Sequence, residues 1–79
     1  MMTYREIWDT AYVCGAEAFE GYSEAFDLDP DTSSIRYAAD RLIDCEQTLA
    51  NRGLYSDPLI DALTGLAFRC GWADAEQAE

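Results

Sequence analysis

The chain contains no lysine and no histidine. Missing histidine removes the commonest general base and metal ligand; missing lysine removes Schiff-base chemistry and the lysine of a phosphate-binding loop. The only cations are five arginines, set against 16 Asp and Glu in 79 residues, for a net charge of −11. That balance argues against a direct grip on DNA, RNA or an anionic membrane, because phosphate binding needs clustered cations. Long apolar runs are missing too. The longest, Ala11 to Ala16, falls far short of the roughly 20 residues a membrane span needs. Residues Met1 to Asp9 mix charges and hold no apolar stretch of the signal-peptide kind, so a cytoplasmic location is expected.

Cysteine is sparse. Cys14, Cys45 and Cys70 stand at spacings of 31 and 25, which match no zinc or redox pair. They read as small buried hydrophobes in a reducing compartment. No metal site and no cofactor are expected.

A hydrophobic share of 49% is nevertheless enough to fold. One domain is expected, with a modest core, since a chain this short buries only about 60% of its unfolded surface. No segment alternates Val, Ile and Thr in the manner of a strand, whereas apolar residues recur at helical spacing. Thr3 and Glu6 form a capping-box pattern at the start of a helix over residues 4–26, with a stripe of Tyr4, Trp8, Ala11, Gly15, Ala18, Tyr22 and Ala25. Pro30 ends it. Thr32 or Ser33 caps a second helix over 33–52, whose stripe is Ile35, Ala38, Leu42, Cys45 and Leu49 and whose stop is Gly53-Leu54. Asp57-Pro58 opens a third over 58–72, with a stripe of Leu59, Leu63, Leu66, Cys70 and Ala73, followed by a frayed tail. The fold class is therefore all-α, a small three-helix bundle.

One segment recurs. Ala11-Tyr12-Val13-Cys14-Gly15 echoes Ala67-Phe68-Arg69-Cys70-Gly71. Glycine inside a helix costs about 1 kcal/mol relative to alanine, and close packing of the first and third helices at Gly15 and Gly71 would offset it.

Catalytic constellations fail on inspection. Asp27, Asp29 and Asp31 imitate the start of a calcium-binding EF-hand loop, but Thr32 stands where that loop needs glycine and Ala38 where it needs glutamate. Carboxylate pairs such as Glu20/Glu24, Asp40/Asp44 and Asp57/Asp61 need burial and a pocket to work as acid and base, and a bundle this small is expected to leave little room. An enzyme is not expected.

Charge distribution is the strongest signal. Between Arg5 and Arg36 there are eight carboxylates and no cation. Glu17, Glu20 and Glu24 share one helical face, and Asp27, Asp29 and Asp31 follow in the loop. They crowd a helix C-terminus, where the macrodipole already disfavours negative charge, so stability alone would select cations there. The pattern predicts an electronegative ridge that meets a basic surface. Six of ten aromatics lie in the first helix, more than one stripe buries. Tyr12 and Phe19 are therefore expected outside the core, as apolar anchors beside the acids.

With its small size, helical pattern and acids from Glu17 to Asp31, the chain resembles the anti-CRISPR proteins of phages and mobile elements, particularly those acting on the type I-C interference complex, Cascade. The resemblance lies in length and style over the whole chain rather than in a defining motif. It implies a non-enzymatic inhibitor that sets carboxylates on the basic residues of Cascade that track nucleic acid, blocking target DNA. Two alternatives stand beside it. One is an accessory or regulatory protein that homodimerises through its aromatic first helix; the other is an antitoxin-like partner of a basic protein.

Overall fold

Local signals decide where each helix of the computed structural model begins and ends; it describes residues 1–79, as α1 (Tyr4–Leu28), α2 (Ser34–Asn51) and α3 (Pro58–Ala78). The Thr3 hydroxyl accepts from the Glu6 N–H at 3.1 Å, while the Glu6 carboxylate accepts from the Thr3 N–H at 3.2 Å. This capping box satisfies two donors that a helix start leaves unpaired. Ser33 caps α2 by accepting from the Arg36 N–H at 3.2 Å. Asp57 caps α3 through the Ile60 N–H at 2.9 Å, with Pro58 at the first helical position. At the end of α2, Gly53 adopts φ 89° and donates to the Ala50 carbonyl, and Leu54 donates to that of Leu49. That pair of bonds is a Schellman stop, and its positive φ favours glycine.

Two helices run longer than their sequence pattern suggests. The Asp29 N–H still reaches the Ala25 carbonyl at 2.9 Å, so α1 continues to Leu28 before Pro30 takes effect. The expected fraying beyond Trp72 does not occur, and α3 continues to Ala78. Its last turns are held by tertiary contacts: the Trp72 ring meets Phe19 edge-on at 5.4 Å, and Asp74 accepts a hydrogen bond from the Tyr12 hydroxyl.

α1 is the shared partner, packing along most of α3 and more lightly on α2, whereas α2 and α3 barely touch each other. The starts of α1 and α3 lie together beside the α2–α3 turn, and their later turns meet at Phe19 and Trp72, so these two helices run parallel. α2 returns antiparallel between their ends, with Tyr37 against Tyr22. The core joins Ile7, Ala11 and Ala18 of α1, Cys45 and Leu49 of α2, and Ile60, Ala67 and Phe68 of α3. Full burial of a side chain such as Ile7 or Leu49 contributes about 1.5–3 kcal/mol.

The crossing of α1 and α3 is set by the repeated segment. A Cβ at Gly15 would overlap the Phe68 carbonyl, and one at Gly71 would overlap the Tyr12 carbonyl. Each glycine thus meets the residue three positions before the other. This approach turns α3 away from its expected face. Its buried residues are Ile60, Thr64, Ala67, Phe68 and Gly71, one position round from the leucine stripe. Thr64 is accommodated because its hydroxyl donates to the Ile60 carbonyl at 2.8 Å. Leu59 and Leu66 of the expected stripe remain 64% and 55% exposed, and Ile35 of α2 remains 83% exposed. Small residues allow the closest backbone approach and so outcompete the bulkier stripe for α1. In α1 itself, Ile7 is buried and Tyr4 is exposed.

Candidate functional site

Parallel α1 and α3 place their C-terminal ends at the same end of the bundle. Glu17, Glu20 and Glu24 on α1 are exposed, as are Asp27, Asp29 and Asp31 around the turn that follows. The end of α3 adds Asp74, Glu76 and Glu79, all exposed. Asp27, Asp29, Glu76 and Glu79 stand at or beside the last turns, where two helix macrodipoles also present their negative ends, while Glu17 sits at mid-helix beside α2. None of these carboxylates is in an ion pair. The two ion pairs of the molecule, Arg5 with Asp9 at 3.9 Å and Arg41 with Asp44 at 3.1 Å, are exposed and each lies within one helix. The loop is shaped by its own groups: Asp29 accepts from the Asp31 N–H at 3.0 Å, and the Thr32 hydroxyl donates to the Asp29 carbonyl at 2.7 Å.

An aromatic cluster braces this acidic pole from inside. Tyr22 stands at its centre, with ring centroids 5.6 Å from Trp72, 5.9 Å from Tyr37 and 5.9 Å from Phe26. All three helices are tied together here, and edge-to-face ring contacts add about 0.5–1.5 kcal/mol each beyond burial. Gly21 leaves space for the Tyr37 hydroxyl, which lies 2.5 Å from where a Cβ would be. The Arg41 guanidinium covers the other side of Tyr37, 5.6 Å from its centroid.

The cluster corrects the expectation that Phe19 is a surface anchor, while Tyr12 does stay outside the core. Phe19 is only 7% exposed, packed on Trp72 and Tyr22. Tyr12 is half-buried at the α1–α3 seam, and its hydroxyl donates to Asp74. That hydrogen bond, followed by burial and the Asp74 charge, holds the phenol above its ordinary value. Phe19 therefore offers no surface to a homodimer, whereas Tyr4 and Phe26 of α1 remain 63% and 42% exposed. Part of the excess of aromatics in α1, namely Phe19 and Tyr22, is taken up by contacts with Trp72 of α3 and Tyr37 of α2, which residue counts along one helix do not reveal.

The cysteines follow the sequence reading only in part. Cys45 is buried, whereas Cys14 and Cys70 are half-buried, and all three are free thiols. Burial first, then the adjacent Cys14 thiol, pushes the Cys45 thiol up to about 12. It is therefore a protonated core residue and a poor nucleophile.

Contrary to the expectation of little room, open grooves of about 590 and 630 Å³ exist. The first, between α2 and α3, contains no carboxylate. The second, where the N-terminal residues meet the α2–α3 turn, has only Asp57, which already caps α3. Neither groove brings two carboxylates together. No helix is long and apolar enough to cross a membrane. No family model matches the chain, and no curated protein or solved structure matches it either.

Proposed function

We propose that this protein is a non-enzymatic inhibitor that binds a basic, nucleic-acid-tracking protein surface through its acidic pole. The supporting observation is the set of nine exposed carboxylates without ion pairs, carried on the C-terminal halves of two parallel helices and the turn after α1, beside an aromatic brace. Like-charge crowding at helix C-termini works against stability, so it is explained by a use outside the fold. A strip of fixed negative charge steers a basic partner and competes with phosphates for its arginines and lysines. The narrower reading, carried by the resemblance to anti-CRISPR proteins, is that the partner is the type I-C Cascade and the blocked step is target DNA binding.

The test is DNA binding by purified type I-C Cascade with increasing amounts of this protein. Competition that weakens steeply with salt supports the proposal. Unaltered DNA binding at saturating inhibitor removes Cascade as the target, and capture from bacterial lysates, with mass spectrometry, then asks whether a basic toxin is held instead. Failure of any basic protein to bind at low salt overturns the acidic-pole reading itself.

A further inference from the structure

α3 has two apolar faces, and only one is covered. Ala67, Phe68 and Gly71 are buried in the bundle, while Leu59 and Leu66 belong to a second stripe that points away from α1. A helix apolar on both sides is one that is buried on both sides. Beside this stripe runs the groove of about 590 Å³, walled on the α2 side by Ile35, Ala39 and Leu42 and floored by Trp72. Although one residue in five of this chain is acidic, the groove has no carboxylate, and its single charge is the cation Arg69.

The signs at the two surfaces sort their partners. A basic protein suited to the acidic pole is repelled by Arg69, whereas an apolar face edged with carboxylates is attracted. This chain carries such a face. Glu46 lies one turn beyond Leu42, and Glu76 two turns beyond Arg69, so both edge the same apolar surface. We infer that the α2/α3 face is the docking surface for a second copy of this chain, forming a two-fold dimer in which Arg69 of each copy meets Glu46 or Glu76 of the other. Two α2/α3 pairs face to face make a four-helix layer, which covers Ile35 and Leu66. The need is physical as well: only 12 of 79 residues are buried in one copy, and domains this small commonly gain stability by oligomerising. Apart from Glu76, the carboxylates of each acidic pole remain outside the interface, so the dimer is bivalent.

Light scattering and sedimentation equilibrium across protein concentration test this. The expected result is a dimer mass, with association at least about tenfold tighter in ~1 M salt than in ~0.01 M, because screening relieves the repulsion between two chains of like charge. Leu66→Glu is expected to give a monomer with unchanged far-ultraviolet circular dichroism, whereas Val13→Glu, on an exposed position of α1, leaves the dimer intact. Cys70 lines the groove, so its reaction with a thiol reagent should slow at high protein concentration while that of Cys14 does not. A wild-type monomer at high concentration and high salt overturns the inference, as does a dimer that survives Leu66→Glu. Neither outcome touches the acidic-pole reading, whose binding responds to salt in the opposite sense.

Discussion

Gly15 lies against the backbone carbonyl of Phe68, with no room between them for a side chain. The reciprocal contact of Gly71 with the Tyr12 carbonyl makes the echoed segments a single device, the point at which α1 and α3 cross. A glycine Cα–H directed at a carbonyl adds a weak attraction to this approach. Because the crossing aligns α1 and α3 in parallel, it also decides that their acidic ends come together.

Alanine substitutions separate this role from mere helix propensity. Gly15→Ala or Gly71→Ala should each destabilise by at least about 3 kcal/mol, at or beyond the upper end of ordinary overpacking, since backbone atoms must retreat. Gly65 is also helical but meets nothing within 4 Å of a built Cβ. Gly65→Ala should therefore stabilise by about 0.5–1 kcal/mol. Urea unfolding of the three variants checks both directions.

Charge reversal at the pole should divide stability from binding. Glu20→Lys with Glu24→Lys changes the net charge from −11 to −7 and removes like-charge repulsion near the end of α1. The melting temperature should hold or rise slightly, while affinity for a basic partner falls by about two orders of magnitude. Asp9→Lys with Asp44→Lys makes the same charge change outside the C-terminal turns of α1 and α3, at the cost of two exposed ion pairs worth ~0–1 kcal/mol each. Titration calorimetry should show a far smaller loss for that pair. Equal losses would mean that only net charge matters.

Thiol chemistry should follow burial. Cys45 is expected to react slowest in the native state, and all three cysteines at equal rates in denaturant. Cys45→Ser should cost on the order of 1–3 kcal/mol by burying a hydroxyl in an apolar site, and Cys45→Ala should cost less. Rapid native labelling of Cys45 would contradict its place in the core.

Alkaline pH should unfold the bundle through two groups held protonated. The Cys45 thiol and the Tyr12 phenol both lie above their ordinary values. Their contributions are complete below the unfolded-state values and decline as pH rises towards the folded ones, which for Cys45 means from 9.0 to about 12. Melting temperatures should therefore fall above about pH 9, and Cys45→Ala should flatten that decline. Tyr12→Phe removes the hydrogen bond to Asp74 and should lower the melting temperature slightly at neutral pH.

Most of the chain's local architecture was legible in its residues, because the determinants are local. Thr3 with Glu6, Asp57 with Pro58, and Gly53 with Leu54 set helix ends through bonds that span only a few positions, and each forms as the pattern indicates. The acids of the ridge were legible for the same reason: nothing in the sequence offers them a cation. Even the glycine crossing was readable from the echo of two short segments, since an unfavourable residue in a helix implies a compensating contact.

Which face of each helix turns inward was decided only by the assembled bundle. Leu59 and Leu66 are more apolar than Ala67 and Gly71, yet the small residues won α1, because close backbone approach depends on the shape of a partner that periodicity does not contain. Phe19 went inside for a related reason: Trp72, far away in sequence, supplies its contact. The pole, too, is partly tertiary. Glu17, Glu20, Glu24 and Asp27 share one face by helical spacing, and Asp29 and Asp31 follow in the turn, but Asp74, Glu76 and Glu79 lie at the same end only because α3 runs parallel to α1.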